Sequence, residues 1–282
     1  MWYTEKNIED KKEGSGMAQV VEITSLEDER LGPYRQLTGR QMQREKVFIA
    51  ESEPVILAGL EKGCRPLSLL MERQHIGGKG KNLVERCGVP VYTGEDALLE
   101  GLTGFRLSRG ILCAMERPEL MRPRDVLLHA RRIAVLENVV DGTNVGALMR
   151  SAAALGVDGV LLTQDCCDPL QRRAARVSMG AVLRMPWAFC PDPLTLLKKT
   201  GFQTAALALR ENALSIQDNQ LKRANKLALF LGAAGDGLRP DTIDGCDFAV
   251  IIPMHHNVNS LNVAAAGAVA FWELCKQERT EA

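Results

Sequence analysis

At 282 residues the chain exceeds the size that one hydrophobic core usually serves, so two domains are expected. A composition of 46% hydrophobic and 25% charged residues excludes a largely disordered chain, and no run of about 18 consecutive apolar residues offers a membrane span. Lys and Arg total 35, as do Asp and Glu, so the chain lacks the overall positive field of many nucleic-acid binders.

Basic clusters survive that average, around Arg35, Arg40 and Arg44, around Arg122 to Arg132, and at Arg172, Arg173 and Arg176. Taken singly, such clusters are most often solvated helix faces. Residues 1–16, MWYTEKNIEDKKEGSG, contain no apolar core of signal-peptide length, and Gly14-Ser15-Gly16 ahead of Met17 marks them as a flexible extension. A cytoplasmic protein is expected.

From Val47 onward short β-rich runs alternate with helical stretches. Strands are predicted at 47–50, 67–71 and 89–92, with helices at 54–62 and 81–87, which reads as a small α/β domain. Next comes MERPELMRPRD, residues 115–125, whose two prolines and mixed charges interrupt any periodic pattern. The predicted division is a domain at 17–115, a linker at 116–125 and a second domain at 126–282.

In the second domain the alternation is clearer. Strands are predicted at 133–139, 157–163, 202–209, 226–231 and 248–252. Helices are predicted at 143–155, stopped by Gly156, from an Asp168 cap and Pro169 to about 178, and at 193–199. Near-continuous apolar strands separated by helices predict a parallel sheet covered on both faces. A last helix, 260 to about 276, carries AAAGAVAFW and is apolar on more than one face. A helix lying on one sheet needs a single apolar stripe, so the surplus points to a second subunit.

The eight cysteines are scattered, with no C-x-x-C pair and no histidine at ligand spacing, and read as reduced structural thiols. No metal site is expected; His255 and His256 are adjacent on a loop and read as solvent-facing.

Three segments gather polar residues and glycines at the C-terminal ends of predicted strands, where open α/β sheets hold ligands. The first, ENVVDGTNVGALMR, carries Asn144 and ends at Arg150. The second, LFLGAAGDGL, residues 229–238, runs a strand into a turn with Gly232, Gly235 and Gly237, and such glycines let a flat ligand lie against backbone amides. Its spacing is not G-x-G-x-x-G, and a tight turn alone would also explain it. The third, IIPMHHNVNSLNVAAAGAV, residues 251–269, enters a helix through Ser260-Leu261-Asn262, with Ser260 as the natural N-cap.

In this order, and with Arg176-Val177-Ser178-Met179-Gly180 between the first two, these segments resemble the signature motifs of the SpoU/TrmH family of RNA 2'-O-ribose methyltransferases. ITSL at Ile23 and FIAES at Phe48 are similar to the family's small N-terminal substrate-binding domain. The resemblance implies an α/β fold: a C-terminal SPOUT domain with a parallel sheet and a trefoil knot, plus a small N-terminal α/β domain that binds RNA substrate. It implies a homodimer, S-adenosyl-L-methionine as cofactor, and a ribose 2'-hydroxyl of rRNA or tRNA as methyl acceptor.

By carry-over, Leu209, Gly232, Gly237, Ile252, Met254 and Leu261 hold the cofactor, while Asn144, Arg150, Ser260 and Asn262 surround the reacting ribose and phosphate. An arginine is a poor base, so its implied role is to bind phosphate and stabilise a developing alkoxide. Two positions depart from the family pattern: Ala234 stands where the second motif has glutamate, and His256 where the third commonly has glycine. The missing carboxylate motivates an alternative, a catalytically impaired RNA-binding paralogue that keeps the fold and the dimer.

Overall fold

The structure is a computed structural model that describes residues 18–35, 46–104, 110–233, 235, 237–256 and 260–275. These fall into two compact units, one drawn from Met1–Pro118 with Leu170–Arg176, the other from Glu119–Pro169 with Val177–Ala282.

The first unit holds β1 (Val20–Glu22), β2 (Val47–Glu51), α1 (Glu53–Glu61), β3 (Pro66–Leu70), α2 (Arg73–Ile76), α3 (Lys81–Cys87), β4 (Val91–Thr93), α4 (Asp96–Thr103) and β5 (Leu112–Glu116). Its sheet has the order β1-β4-β3-β5-β2, with β5 antiparallel to both neighbours. Leu31, Tyr34, Ile49, Leu70, Leu99 and Leu112 form its core. The Tyr34 hydroxyl donates to the Ser68 carbonyl at 2.8 Å and accepts from the Ala114 amide at 3.3 Å, so its polar end is satisfied although burial pushes the phenol well above its usual pKa.

The second unit begins with α5 (Pro123–Leu127) and β6 (Arg132–Glu137), followed by α6 (Gly142–Ala154) and β7 (Gly159–Leu162). After α7 (Arg172–Val177), grouped with the first unit, come α8 (Ala181–Arg184), β8 (Trp187–Phe189), α9 (Pro193–Lys199), β9 (Gln203–Leu207), β10 (Leu214–Ser215) and α10 (Asn219–Arg223). The chain then forms β11 (Leu227–Gly232), α11 (Pro240–Gly245), β12 (Phe248–Ile251) and α12 (Val263–Cys275).

Its seven strands lie in the order β10-β12-β9-β11-β6-β7-β8, and every neighbouring pair is parallel. Both faces are covered, as the apolar runs predict. Ile133, Val135, Ala228 and Phe230 face a core that includes Val126, Leu161 and Leu197. On the other face α6 packs against α12, where Gly267 lies directly over Leu148 and beside Leu231.

Three local expectations are corrected. The last helix starts at Val263 rather than Ser260, because the Asn262 side chain accepts from the Ala264 amide at 2.9 Å and takes the capping role assigned to Ser260. α7 starts at Arg172, so Asp168-Pro169 precedes a turn instead of capping a helix. Within the stretch read as a linker, Met115 and Glu116 belong to β5 and Pro123 opens α5. The strands β1, β5, β8 and β10 and the helices α2, α4, α5, α8, α10 and α11, all short, were not predicted.

α6 carries two of the candidate residues, and its start is set by Asp141, whose carboxylate accepts from the Thr143 and Asn144 amides at 2.8 and 3.0 Å. Asp141→Ala is expected to cost about 1 kcal/mol of stability, measured by urea denaturation, because those amides lose their acceptor.

Candidate active site

In a parallel sheet all C-terminal strand ends emerge at one edge. Three neighbours there, β12, β9 and β11, together with the start of α12, enclose a cavity of about 400 Å³. That volume lies in the range of small-molecule sites, roughly 300 to 1,000 Å³. The six residues implied for the cofactor all line it: Leu209 after β9, Gly232 and Gly237 around the turn after β11, Ile252 and Met254 after β12, and Leu261 ahead of α12.

The turn after β11 is built by its glycines. The Gly237 amide donates to the Ala233 carbonyl at 3.0 Å, closing the turn, and Gly235 and Gly237 take φ of 101° and 69°. These values lie in the left-handed region that favours glycine. A Cβ on Gly232 would overlap the Gly237 carbonyl and the Leu238 amide, so glycine alone lets the turn fold back onto the strand end. Ala234, in the same turn, lies outside the described residues.

The four residues implied for chemistry separate into two groups. Ser260 lines the cavity, and beside it the Asn262 side-chain amide donates to Asn144 Oδ1 at 3.1 Å, tying the start of α12 to the start of α6. Arg150 is exposed, six residues further along α6, or about 9 Å at 1.5 Å per residue, and is not part of the cavity wall. It makes no ion pair among the described residues.

The loop before α6 is held from beneath. Asn138, at φ 54°, donates its amide to the Thr163 hydroxyl at 3.1 Å, and Val139 donates to Cys166 Sγ at 3.4 Å. Burial raises the Cys166 thiol, and Cys167 is pushed up to about 12 by burial and then by Asp168 and Asp141. Both thiols therefore stay protonated near neutral pH and serve as structure, not as nucleophiles. His255 and His256 are exposed, and His256 sits at φ 56°. A non-glycine residue thus occupies the left-handed conformation at the position where the family motif has glycine.

Two further residues belong to this site. Arg210 lines the cavity and pairs with Asp244 of α11 at 3.2 Å. Glu137, at the last position of β6, is only 3% exposed, and its carboxylate accepts from the Arg239 amide at 2.7 Å and the Thr242 hydroxyl at 2.6 Å. A charged residue following the apolar run IAVL, at the first position of the first segment, was the available signal for it.

The SpoU rRNA Methylase family model matches residues 131–272. An uncharacterised tRNA/rRNA methyltransferase of Mycobacterium tuberculosis is 34% identical over 90% of this chain and 91% of its own length. A 23S rRNA (guanosine-2'-O-)-methyltransferase of Acinetobacter baylyi is 31% identical over 69% of this chain and 82% of its own. Among solved structures, the AdoMet-bound rRNA methyltransferase of Sinorhizobium meliloti superimposes with a TM-score of 0.76 at 22% identity, covering 91% of this chain and 98% of that one.

The crowding at Gly232 makes a direct prediction. Gly232→Ala must displace backbone atoms, not a flexible side-chain end, and is expected to lose about 1 to 3 kcal/mol in denaturant unfolding. Gly201→Ala supplies the contrast: nothing lies near its Cβ, so its φ of 79° alone should carry the cost.

Proposed function

The chain belongs to the SpoU rRNA Methylase family, and from that premise we propose that it transfers a methyl group from S-adenosyl-L-methionine to a ribose 2'-hydroxyl of rRNA or tRNA. The observation that carries this reading is the convergence of the second and third motifs, with the end of β9, on one cavity, and the Asn144–Asn262 hydrogen bond that ties the first motif to the third. The relatives named above as methyltransferases support it and lend nothing to the alternative of an impaired paralogue. The trefoil threading after β12, and the division into an RNA-binding domain at 17–115, a linker at 116–125 and a methyltransferase domain at 126–282, belong to the same reading.

The cavity suits the cofactor chemically. Leu209, Ile252, Met254 and Leu261 offer apolar surface to an adenine ring, and Gly232 and Gly237 expose main-chain groups that select its polar edges. When bound, the cofactor supplies a methyl group activated on a sulfonium. The bond to sulfur breaks as the bond to the ribose oxygen forms, in line, and the hydroxyl proton must leave.

The residues of this chain therefore have to align the acceptor oxygen and stabilise its developing charge. Asn144, Ser260 and Asn262 orient the ribose beside the cavity. Arg150 holds the neighbouring phosphate and stabilises the alkoxide. With its guanidinium permanently charged, it leaves the proton to the RNA phosphate.

Because Arg150 stands off the cavity wall of its own chain, the site is completed in a homodimer in this reading. α12 offers the matching surface. Its buried side carries Gly267, Ala270, Phe271 and Leu274, while Ala265, Val269 and Trp272, at spacings of four and three, form an exposed apolar stripe, with Trp272 56% exposed. An exposed tryptophan on such a stripe is the usual centre of an interface.

Two outcomes follow. Arg150→Ala should lower transfer of labelled methyl to cellular RNA by about 10²- to 10³-fold while cofactor binding measured by calorimetry stays close to wild type. Equal transfer by the variant, or no transfer by the wild-type chain to any cellular RNA, would count against the reading. Trp272→Glu should convert a dimer to a monomer in sedimentation velocity, with far-UV circular dichroism unchanged because the side chain is exposed in the single chain.

A further inference from the structure

Glu137 presents a physical problem. A carboxylate taken out of water costs several kcal/mol, and an apolar residue would finish the strand more cheaply. Nothing about the strand itself asks for a charge: its other residues are Ile, Ala, Val and Leu after an opening Arg132.

The resolution lies in the register. Glu137 is the Cα partner of Gly232, the last residue of β11, so its backbone fixes the point where the glycine turn departs. Its side chain reaches the other end of that turn. Oε1 accepts from the amide of Arg239, the residue just after Leu238, and Oε2 accepts from the Thr242 hydroxyl, with the Arg239 guanidinium 3.9 Å away. Arg239 is the N-cap of α11 and its own side chain makes no capping bond, so Glu137 holds the start of that helix from a different strand. The six residues between β11 and Arg239 are thus held at both ends by one residue.

Ala233, Gly235, Gly237 and Leu238 of that segment, with Ile243 of α11, make up one wall of the cavity, whereas Glu137 is not part of its lining. Arg239 is braced further by Asp165, whose carboxyl burial raises but the Thr163 hydroxyl, neighbouring backbone amides and the Arg239 guanidinium together hold below its usual value. The anchor therefore sits behind the wall and touches no bound molecule.

We propose that Glu137 is a positioning residue for cofactor binding: its buried carboxylate sets the distance between the end of β11 and the start of α11, and so the shape of the wall against which the cofactor lies. This rests on the reading of the cavity as the S-adenosyl-L-methionine site. It assigns the carboxylate a role in affinity, distinct from that of Arg150 in turnover. α11 has only six residues, so its position rests on this tether together with the packing of Ile243 against the core.

The test compares the full-length wild type with Glu137→Ala, Glu137→Gln and Thr242→Val. Three quantities are read for each: the dissociation constant for S-adenosyl-L-methionine by calorimetry, KM and kcat for methyl transfer, and the thermal midpoint. Glu137→Ala should weaken cofactor binding by about tenfold or more and raise KM for the cofactor more than it lowers kcat. Glu137→Gln keeps an acceptor for the Arg239 amide and should recover most of the affinity, while Thr242→Val should weaken binding about two- to fivefold.

If Glu137→Ala does not fold, Thr242→Val carries the test, because it removes only part of the tether. Unchanged affinity and KM in Thr242→Val, with only the thermal midpoint lowered, would reduce Glu137 to a structural residue and overturn the proposal. Failure of the wild-type chain to bind the cofactor would overturn the cofactor reading itself, and this role with it.

Discussion

The parallel pairing of β6 with β11, in register from Arg132 and Leu227 to Glu137 and Gly232, is the constraint on which the candidate site depends. It ends two apolar strands at the same level, so that a buried carboxylate and a glycine lie side by side where the sheet meets the cavity. From Gly232 the chain has no room for a side chain and must turn back. At Glu137 it leaves through Asn138, in the left-handed conformation, toward the Asp141 cap of α6. The two polypeptide paths that build the site diverge from this one pair. The path from Gly232 builds the cavity wall with the ends of β9 and β12, and the path from Glu137 brings Asn144 to Asn262 at the start of α12.

Much of this was legible because strand burial on both faces leaves a strong mark. Runs such as LALFLG and RIAVLE have no alternation to misread, and the helices at 81–87 and 193–199 were bounded correctly by local chemistry: Gly88 in the left-handed conformation after the first, and Asp192 capping the second. The glycine turn was legible as a turn, while the alternative that it was nothing more could be weighed only once its neighbours from β9 and β12 were in place.

The misses share a cause. β8 is three residues long and β5 runs into a proline-rich stretch, so neither presents a window long enough for periodicity to register. The capping errors have another origin. Ser260 and Asp168 are good caps by residue type, but the true helix starts lie two to four residues later, where Asn262 finds the Ala264 amide and where the turn after Asp168 has closed. Residue type names the candidates for a cap; backbone geometry chooses among them. Glu137 was overlooked for a similar reason. Its partners, Arg239 and Thr242, are more than a hundred positions away, and no local pattern links them to it.

α12 shows how several demands fall on one element. Its first turn must present Asn262 to Asn144, its middle must let Gly267 approach Leu148 without a side chain between, and its outer stripe keeps Val269 and Trp272 exposed. A helix free to satisfy only the sheet would carry a larger residue at 267 and a polar one at 272. Small and aromatic residues together on an apolar helix therefore record two close packings, one inside the chain and, in the proposed dimer, one outside it. The same helix then couples the cavity wall at Leu261 to the proposed interface at Trp272, about three turns away. Under that reading assembly and site geometry are not separable: a shift of α12 that loosened the outer packing would also move Asn262, and with it the hydrogen bond that holds the start of α6 beside the cavity.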